Sequence, residues 1–207
     1  MISFMSKEVN VIGAGGNCRP VIELLKTLRY SPQGVYDESY DPKSNEIIVG
    51  CPLKGELSSV PEAAVVIAVG DNAKRKALAA AYSQQQIREN LIHPKSVIEE
   101  SAKVGRSNIL MAMSYLSAMV VVGDNNLINS GAIIEHETVV GNHCHISVGA
   151  VLCGRVRIGD LCFIGAGSVV KDGVSICDNV TVGAGSVVIK NVTEPGVYVG
   201  NPARRVK

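Results

Sequence analysis

The sequence predicts two domains of different architecture. Residues 1–92 are expected to form an α/β domain with a small Rossmann-like parallel sheet, and residues 93–207 a left-handed parallel β-helix built from hexapeptide repeats. Two observations predict this division. Apolar strand-like runs alternate with helical segments in the first half, whereas an aliphatic residue recurs at every sixth position in the second half.

The first half contains three strand signals and two helix signals. The segment "EVNVIGAGGNCRPVIELLKTLRY" is typical of a strand, a glycine turn and a helix, and "GVYDESY" of a strand that ends at Asp37. The segment "AAVVIAVGDNAKRKALAAAYSQQ" predicts a third strand and a helix capped by Asp71 or Asn72. Ligands of parallel sheets bind at the carboxyl ends of the strands, here residues 13–17, Asp37 and residues 70–72.

The glycine turn after the first strand does not match a dinucleotide-binding fingerprint. Gly13 and Gly15 are followed by Cys18 where G-x-G-x-x-G requires its last glycine. A glycine turn that opens a helix can still bind a phosphate-bearing ligand through its free amides. The alternative is that these glycines only form a tight turn.

The second half has a sixfold period. Every sixth residue from Ile98 to Val188 is Ile, Leu or Val, which neither a helix nor an ordinary strand produces. Three hexads make one coil of 18 residues, and coils stack about 4.8 Å apart. The position four residues after each aliphatic residue is small or slim and turns inward, which predicts that Cys144 and Cys162 are buried free thiols.

The residue after each aliphatic position is expected at a corner, where glycine relieves backbone strain. One corner column is all glycine: Gly105, Gly123, Gly141 and Gly159. Another column contains no glycine: Glu99, Ser117, Glu135, Cys153 and Lys171. His136 directly follows this second column.

Three of the four histidines, His136, His143 and His145, lie within ten residues. They are a metal site, a catalytic base with helpers, or a chance cluster. The β-helical zinc enzymes of the gamma carbonic anhydrase class use a histidine pair five residues apart, and the spacings of seven and two do not match it. No metal is therefore expected, and His143 is interpreted as solvated.

His136 has the surroundings of a general base. Glu135 and Glu137 flank it, and a carboxylate within reach stabilises the imidazolium and fixes the tautomer. The residues stacked one coil away on either side are Ala118 and Gly154, which leave open space beside the imidazole.

Composition excludes several classes of partner. The net charge is +1 with no basic stripe, so binding of nucleic acid is not expected. No apolar run reaches the ~18 residues that span a bilayer, so no membrane partner is expected. The segment "MISFMSKEVN" is too short and polar for a signal peptide, and a cytoplasmic protein is expected.

Four segments together resemble the PglD/NeuD family of sugar acetyltransferases, and the resemblance covers essentially the whole chain. They are "NSGAIIEHETVVGNHCHISVGAVLCGRVRIGDLCFIGAGSVV", "VYVGNPARRV", "IGAGGN" and "AVGDNAKRK". The resemblance implies a homotrimer with acetyl-CoA in the groove between neighbouring β-helices, and a nucleotide-linked amino sugar on the N-terminal domain. It implies that His136 is the general base, that Glu137 raises its basicity, and that the Gly154 N–H receives the thioester oxygen.

The resemblance also assigns binding residues. It places contacts to acetyl-CoA at His145, Gly154, Ala166 and Ala184. It places the sugar-nucleotide site at Gly15, Gly16, Asn17, Asp37, Glu38 and Gly70. Asn17 stands where several relatives have histidine, which leaves the identity of the nucleotide open.

The expected function is acetyl transfer from acetyl-CoA to the 4-amino group of a nucleotide-linked amino-deoxy sugar, of the UDP-4-amino-sugar type, for bacterial glycan biosynthesis. Transfer is expected to be direct, without a covalent enzyme intermediate. One alternative is O-acetylation of a sialic-acid-like sugar, and His145 favours the N-acetylating branch over it. The other is a non-catalytic trimer that binds a nucleotide sugar as a scaffold.

Overall fold

The computed structural model of the chain describes residues 7–43 and 45–207. The chain divides into two compact units, with the boundary between Leu91 and Ile92. The expectation that the chain has no signal peptide rests on residues 1–10, of which residues 1–6 lie outside the described residues. No helix in the described ranges is both long and apolar enough to cross a membrane.

The first unit is an α/β domain, as the sequence predicts. Its elements are β1 (Lys7–Ile12), α1 (Cys18–Thr27), β2 (Tyr30–Tyr36), β3 (Ile47–Ile48), β4 (Cys51–Gly55), a 3₁₀ turn (Leu57–Ser59), β5 (Val65–Ile67) and α2 (Asn72–Ala81). The sheet order is β3-β4-β2-β1-β5, and only the β3–β4 pair is antiparallel. Strands β3 and β4 escape sequence prediction because they are short and because β4 contains a proline and ends in glycine.

Helix α2 begins at a polar turn that fixes the end of β5. Asp71, one of the two predicted caps, accepts a hydrogen bond from the Lys74 N–H at 2.7 Å. Arg75 is buried and donates to the carbonyl oxygens of Val69 and Gly70 at 3.1 and 3.3 Å. Because these bonds hold the chain directly after β5, this strand end has a defined shape.

The second unit is a parallel β-helix, as the hexads predict. Its strands are β6 (Leu91–Ile92), β7 (Val97–Ile98), β8 (Lys103–Val104), β9 (Ile109–Leu110), β10 (Tyr115–Leu116), β11 (Val121–Val122), β12 (Leu127–Ile128), β13 (Ile133–Ile134), β14 (Val139–Val140), β15 (His145–Ile146), β16 (Val151–Leu152), β17 (Arg157–Ile158), β18 (Phe163–Ile164), β19 (Val169–Val170), β20 (Ser175–Ile176), β21 (Val180–Val182), β22 (Val187–Val188), β23 (Gly196–Val199) and β24 (Arg204–Arg205). They form sheets of six, five and eight strands. Most neighbouring strands pair in parallel with partners 18 residues away, so one coil is three hexads.

Three corners join these sheets, and we name each by one of its residues. The His136 corner (residues 135–138 and their equivalents 18 apart) joins the six-stranded to the five-stranded sheet. The Gly141 corner (141–144 and equivalents) joins the five-stranded to the eight-stranded sheet. The Ala166 corner (165–168 and equivalents) joins the eight-stranded sheet back to the six-stranded one.

The interior of the β-helix is filled as the hexads predict. The aliphatic positions from Leu110 to Val188 are buried, with at most 3% of each residue exposed. Cys144 and Cys162 are fully buried free thiols one coil apart. Inward asparagines are satisfied by the neighbouring coil, since Asn126 donates from Nδ2 to the Gly141 carbonyl oxygen at 2.9 Å. Burial of apolar side chains in this column is the main source of stability.

The predicted reason for glycine at the corners is wrong. The glycines of the all-glycine column do not have positive φ, and a Cβ there would instead collide with the next coil. At Gly141 a Cβ would lie 2.8 Å from Gly159 C and 2.9 Å from its oxygen, and it would also strike Asp160 Oδ1. That carboxylate accepts the Asn142 N–H at 2.7 Å. Glycine is required here for close approach between coils.

Positive φ recurs two residues further along each corner. It is found at every sixth residue from Ser107 to Gly185, including Glu137 (φ 61°), His143 (φ 56°) and Arg155 (φ 57°). This conformation is costly for residues with a Cβ, and the packed coils on either side enforce it.

We expect Gly141→Ala to destabilise the β-helix by about 3 kcal/mol, the upper part of the range for overpacked sites. The matched control is Gly131→Ala, where φ is +67° but no atom lies within 4 Å of the added Cβ. It should cost about 1 kcal/mol, since only backbone strain is introduced. Thermal or denaturant unfolding of both variants measures the two losses, and equal losses would contradict the steric explanation.

Candidate active site

A cavity of about 710 Å³ opens at the carboxyl ends of β1, β2 and β5. All six residues predicted to bind the sugar nucleotide line it: Gly15, Gly16, Asn17, Asp37, Glu38 and Gly70. No atom lies within 4 Å of a Cβ built on Gly15 or on Gly16. The backbone at the start of α1 is therefore accessible to a ligand, as a phosphate-binding turn requires.

Asp37 organises the glycine turn. Its Oδ2 accepts the Ala14 N–H at 2.8 Å, and its Oδ1 accepts the Ser39 N–H at 2.9 Å and the Ser39 hydroxyl at 2.5 Å. Burial acts to raise the pKa of Asp37, but these hydrogen bonds outweigh it and hold the pKa below its usual value. The carboxylate therefore connects the ends of β1 and β2.

The remaining cavity wall carries both signs of charge. Lys74 Nζ contacts Glu38 Oε1 at 2.6 Å, and both residues line the cavity. A Cβ on Gly70 would strike Asn17 Nδ2. The absence of a side chain at Gly70 thus leaves room for the Asn17 amide.

A second polar group lies on the His136 corner of the β-helix. His136 Nδ1 is 3.2 Å from Glu137 Oε2, and both side chains are about half exposed. Because Glu137 accepts a hydrogen bond only from a protonated nitrogen, this contact places the ring proton on Nδ1. The lone pair of the neutral imidazole is then on Nε2.

Gly154 lies one coil beyond His136 and leaves a gap that the imidazole enters. A Cβ on Gly154 would lie 2.5 Å from His136 Cε1 and 2.6 Å from Nε2. No acceptor within residues 7–43 and 45–207 receives the Gly154 N–H. An unpaired N–H and a basic nitrogen therefore lie close together at the same gap.

Asp172 reaches the same gap from the coil after Gly154. Its Oδ2 would lie 3.2 Å from the Cβ built on Gly154. Arg155 binds both oxygens of this carboxylate through one guanidinium nitrogen, at 2.7 and 2.8 Å. The sequence interpretation missed this pair. The 18-residue period contains a signal for it, because Asp172 is two coils after His136.

The structure separates the three clustered histidines. His145 is only 6% exposed and packs edge-on against Phe163, with ring centroids 5.0 Å apart. Its Nε2 is 3.3 Å from Asn129 Nδ2. His143 lies on the Gly141 corner, where its Nδ1 is 2.9 Å from Asn125 Nδ2.

Ala166 and Ala184 lie on the Ala166 corner, one coil apart, and both are exposed. Their N–H groups donate to no acceptor in the described part of the chain. The strands of the six-stranded sheet run from this corner to the His136 corner.

The described residues contain no group of three or more His, Cys, Asp or Glu that could hold a metal ion. The thiol of Cys144 is unsuited to act as a nucleophile. The neighbouring Cys162 thiol and burial raise its pKa, which disfavours the reactive thiolate.

Two family models match the chain: the PglD N-terminal domain over residues 8–82 and the hexapeptide repeat of succinyl-transferase over residues 155–190. Among solved structures, PerB from Caulobacter crescentus, in complex with CoA and GDP-perosamine, is 30% identical. The match covers 97% of each chain with a TM-score of 0.88. The chain belongs to the PglD/NeuD-like family of sugar acetyltransferases.

Another member of similar structure is the acetyltransferase domain of PglB from Neisseria gonorrhoeae FA1090. It is 28% identical with a TM-score of 0.87, and the match covers 97% of this chain and all of that one. The same domain in complex with acetyl coenzyme A gives 29% identity and a TM-score of 0.85 over the same shares. No curated protein matches the sequence. Membership of this family makes the protein an acyltransferase.

Proposed function

We propose that this protein is an acetyl-CoA-dependent N-acetyltransferase of the 4-amino group of a nucleotide-linked amino-deoxy sugar. The observation that carries the proposal is the gap at Gly154, which brings together a basic Nε2 and an unpaired N–H. Acyl transfer needs these two groups: a base for the nucleophile and a donor for the developing oxyanion. The PerB complex with CoA and GDP-perosamine supports the substrate class.

In the proposed reaction the neutral amine attacks the thioester carbonyl carbon. His136 Nε2 takes the proton that the nitrogen loses, and Glu137 stabilises the imidazolium through Nδ1. The Gly154 N–H donates to the oxyanion. Collapse of the tetrahedral intermediate breaks the C–S bond, and the proton on Nε2 passes to the leaving thiolate of CoA.

Acetyl-CoA is proposed to bind along the Ala166 corner through the free N–H groups of Ala166 and Ala184. A contact from His145 is proposed as well, and the small exposed fraction of this residue limits the contact to the edge of its imidazole. The nucleotide sugar is proposed to bind in the cavity of the first unit. Gly15 and Gly16 would bind its phosphates, and Asn17, Asp37, Glu38 and Gly70 would form the surrounding wall.

We propose a homotrimer because of the six-stranded sheet. The outward residues of its strands are almost all aliphatic: Val97, Tyr115, Ile133, Val151, Val169 and Val187. Three copies that pack this face around a threefold axis bury it. Rotation by one-third of a turn then brings the His136 corner of one copy beside the Ala166 corner of the next, so base and cofactor groups meet between subunits.

Turnover of acetyl-CoA by the purified protein with UDP-, dTDP- and GDP-linked 4-amino sugars tests this function. We expect one nucleotide sugar to be acetylated on nitrogen, as mass spectrometry and release of the CoA thiol report. Acetylation of a sialic-acid-like sugar on oxygen would favour the O-acetyltransferase alternative. Binding of a nucleotide sugar without turnover of any substrate would favour a non-catalytic scaffold.

A further inference from the structure

We infer that Asp172, held by Arg155, selects an amine over a hydroxyl as the acetyl acceptor. The inference rests on the proposed function, since it concerns the acceptor that His136 deprotonates. Asp172 is the specificity-determining residue of this gap, and Arg155 is the residue that positions it.

The geometry places the Asp172 carboxylate and the imidazole of the base at the same gap. His136 Nε2 lies 2.6 Å and Asp172 Oδ2 3.2 Å from the position that a Cβ on Gly154 would occupy. The distance between the two atoms therefore cannot exceed the sum of these two distances. The nucleophilic atom of the acetyl acceptor, when it occupies this gap, is within reach of both groups. The imidazole comes from the coil before Gly154 and the carboxylate from the coil after it.

The number of protons on the acceptor atom decides between the two nucleophiles. A neutral primary amine has two N–H bonds. During attack one proton goes to His136 Nε2, and the second stays on the nitrogen in the product amide. Asp172 Oδ2 accepts a hydrogen bond from this retained proton throughout the reaction.

A hydroxyl has a single proton, which the base must remove. When the hydroxyl proton points to His136 Nε2, a lone pair of the hydroxyl oxygen faces Asp172 Oδ2. Two hydrogen-bond acceptors in contact repel each other. If the hydroxyl donates to Asp172 instead, His136 cannot deprotonate it. Asp172 thus stabilises the attack of an amine and disfavours that of an alcohol.

Arg155 makes this carboxylate compatible with the oxyanion. A bare carboxylate beside Gly154 would repel the negative charge that develops at its N–H. The guanidinium contacts both carboxylate oxygens and offsets their charge. Each oxygen keeps a further lone pair for the substrate. Arg155 also donates its N–H to the His136 carbonyl oxygen at 2.9 Å, which ties it to the coil of the base.

The test compares an amino-sugar substrate with its 4-hydroxy analogue in the full-length protein. In Asp172→Asn we expect kcat/KM for the amine to fall about tenfold, the effect of losing one hydrogen bond to a charged acceptor that water partly reaches. Transfer to the hydroxyl should stay equal or rise. Glu23→Gln, which removes a carboxylate from an exposed ion pair with Lys26 on α1, is the charge-matched control and should change neither rate.

Arg155 variants separate positioning from a merely structural role. We expect Arg155→Ala to lower kcat for the amine more than Asp172→Asn does, because it leaves a bare carboxylate at the oxyanion. The double variant Arg155→Ala/Asp172→Asn should recover to the kcat of Asp172→Asn, and Arg155→Lys should retain part of the selectivity. Loss of folding would not produce recovery in the double variant.

Two results would overturn the inference: an unchanged kcat/KM for the amine in Asp172→Asn, or equal losses for amine and hydroxyl. If the wild-type protein acetylates no amino sugar at all, the proposed function itself fails. Wild-type turnover with either of the two results above removes only the role of Asp172.

Discussion

Replacement of His136 by alanine is expected to lower kcat by roughly 10²–10⁴-fold, the usual contribution of a general base. Without the imidazole no group at the Gly154 gap removes the proton that the amine loses. Asp172 does not replace it, because Arg155 binds both oxygens of its carboxylate. The KM for acetyl-CoA should change little. Steady-state assays with the best substrate of the nucleotide-sugar panel measure both constants.

The control for this experiment is His143→Ala. His143 belongs to the same histidine cluster but lies on the Gly141 corner with Asn125 as its partner, so its loss should leave kcat unchanged. Glu137→Gln adds an intermediate case. It keeps the side chain beside Nδ1 but removes the charge, and we expect a loss of about tenfold because the pair is half exposed. Equal rates for His136→Ala and the wild type would refute the base assignment.

Much of the β-helix could be predicted because its pattern is a property of single residues. An inward position must be aliphatic or slim, and the strict period of six fixes the coil length and the column to which every residue belongs. The stacking of His136 over Gly154 follows from this register alone. The same register brings Asp172 within two coils of the base, although which side chain fills a gap depends on rotamers that the sequence does not contain.

The corner glycines show where sequence reasoning fails. Glycine is used both for positive φ and for close approach, and the two uses look alike in a sequence. At Gly141 the reason is the backbone of Gly159 and the carboxylate of Asp160, which belong to the next coil. Positive φ instead falls on residues such as Glu137 and Arg155. Packing between coils imposes this conformation against their local preference.

The cavity of the first unit was predictable for a topological reason. Ligand sites of parallel sheets lie where strands end, and three strand ends could be identified from their glycines and Asp37. The roles within the cavity were less predictable. Asp37 bonds to the protein through both carboxylate oxygens, at Ala14 and Ser39, and this depends on distances between loops that are separate in sequence.

Gly154→Ala is expected to lower kcat by about 10²-fold, the loss that a displacement of about 1 Å in a reacting group produces. The added methyl group would lie 2.5 and 2.6 Å from two atoms of the His136 ring, so the imidazole must move out of the gap. It would also lie 3.2 Å from Asp172 Oδ2, which tightens the space for the acceptor amine. Alanine keeps the backbone N–H, and the donor to the oxyanion therefore remains in the variant.

This substitution tests the position of the His136 imidazole separately from the presence of the imidazole and of the Gly154 N–H, which the variant keeps. Gly50→Ala, between β3 and β4 of the first unit, introduces a methyl group at a positive φ of 75° whose nearest neighbour is Lys26 Nζ at 3.7 Å, and it should leave kcat unchanged. Stability should change little in Gly154→Ala because the half-exposed imidazole can turn toward solvent. Melting curves and acetyl-CoA binding test this point. A Gly154→Ala protein with wild-type kcat would show that catalysis does not need His136 in the gap, and both the base assignment and the amine selectivity of Asp172 would then lose their geometric basis.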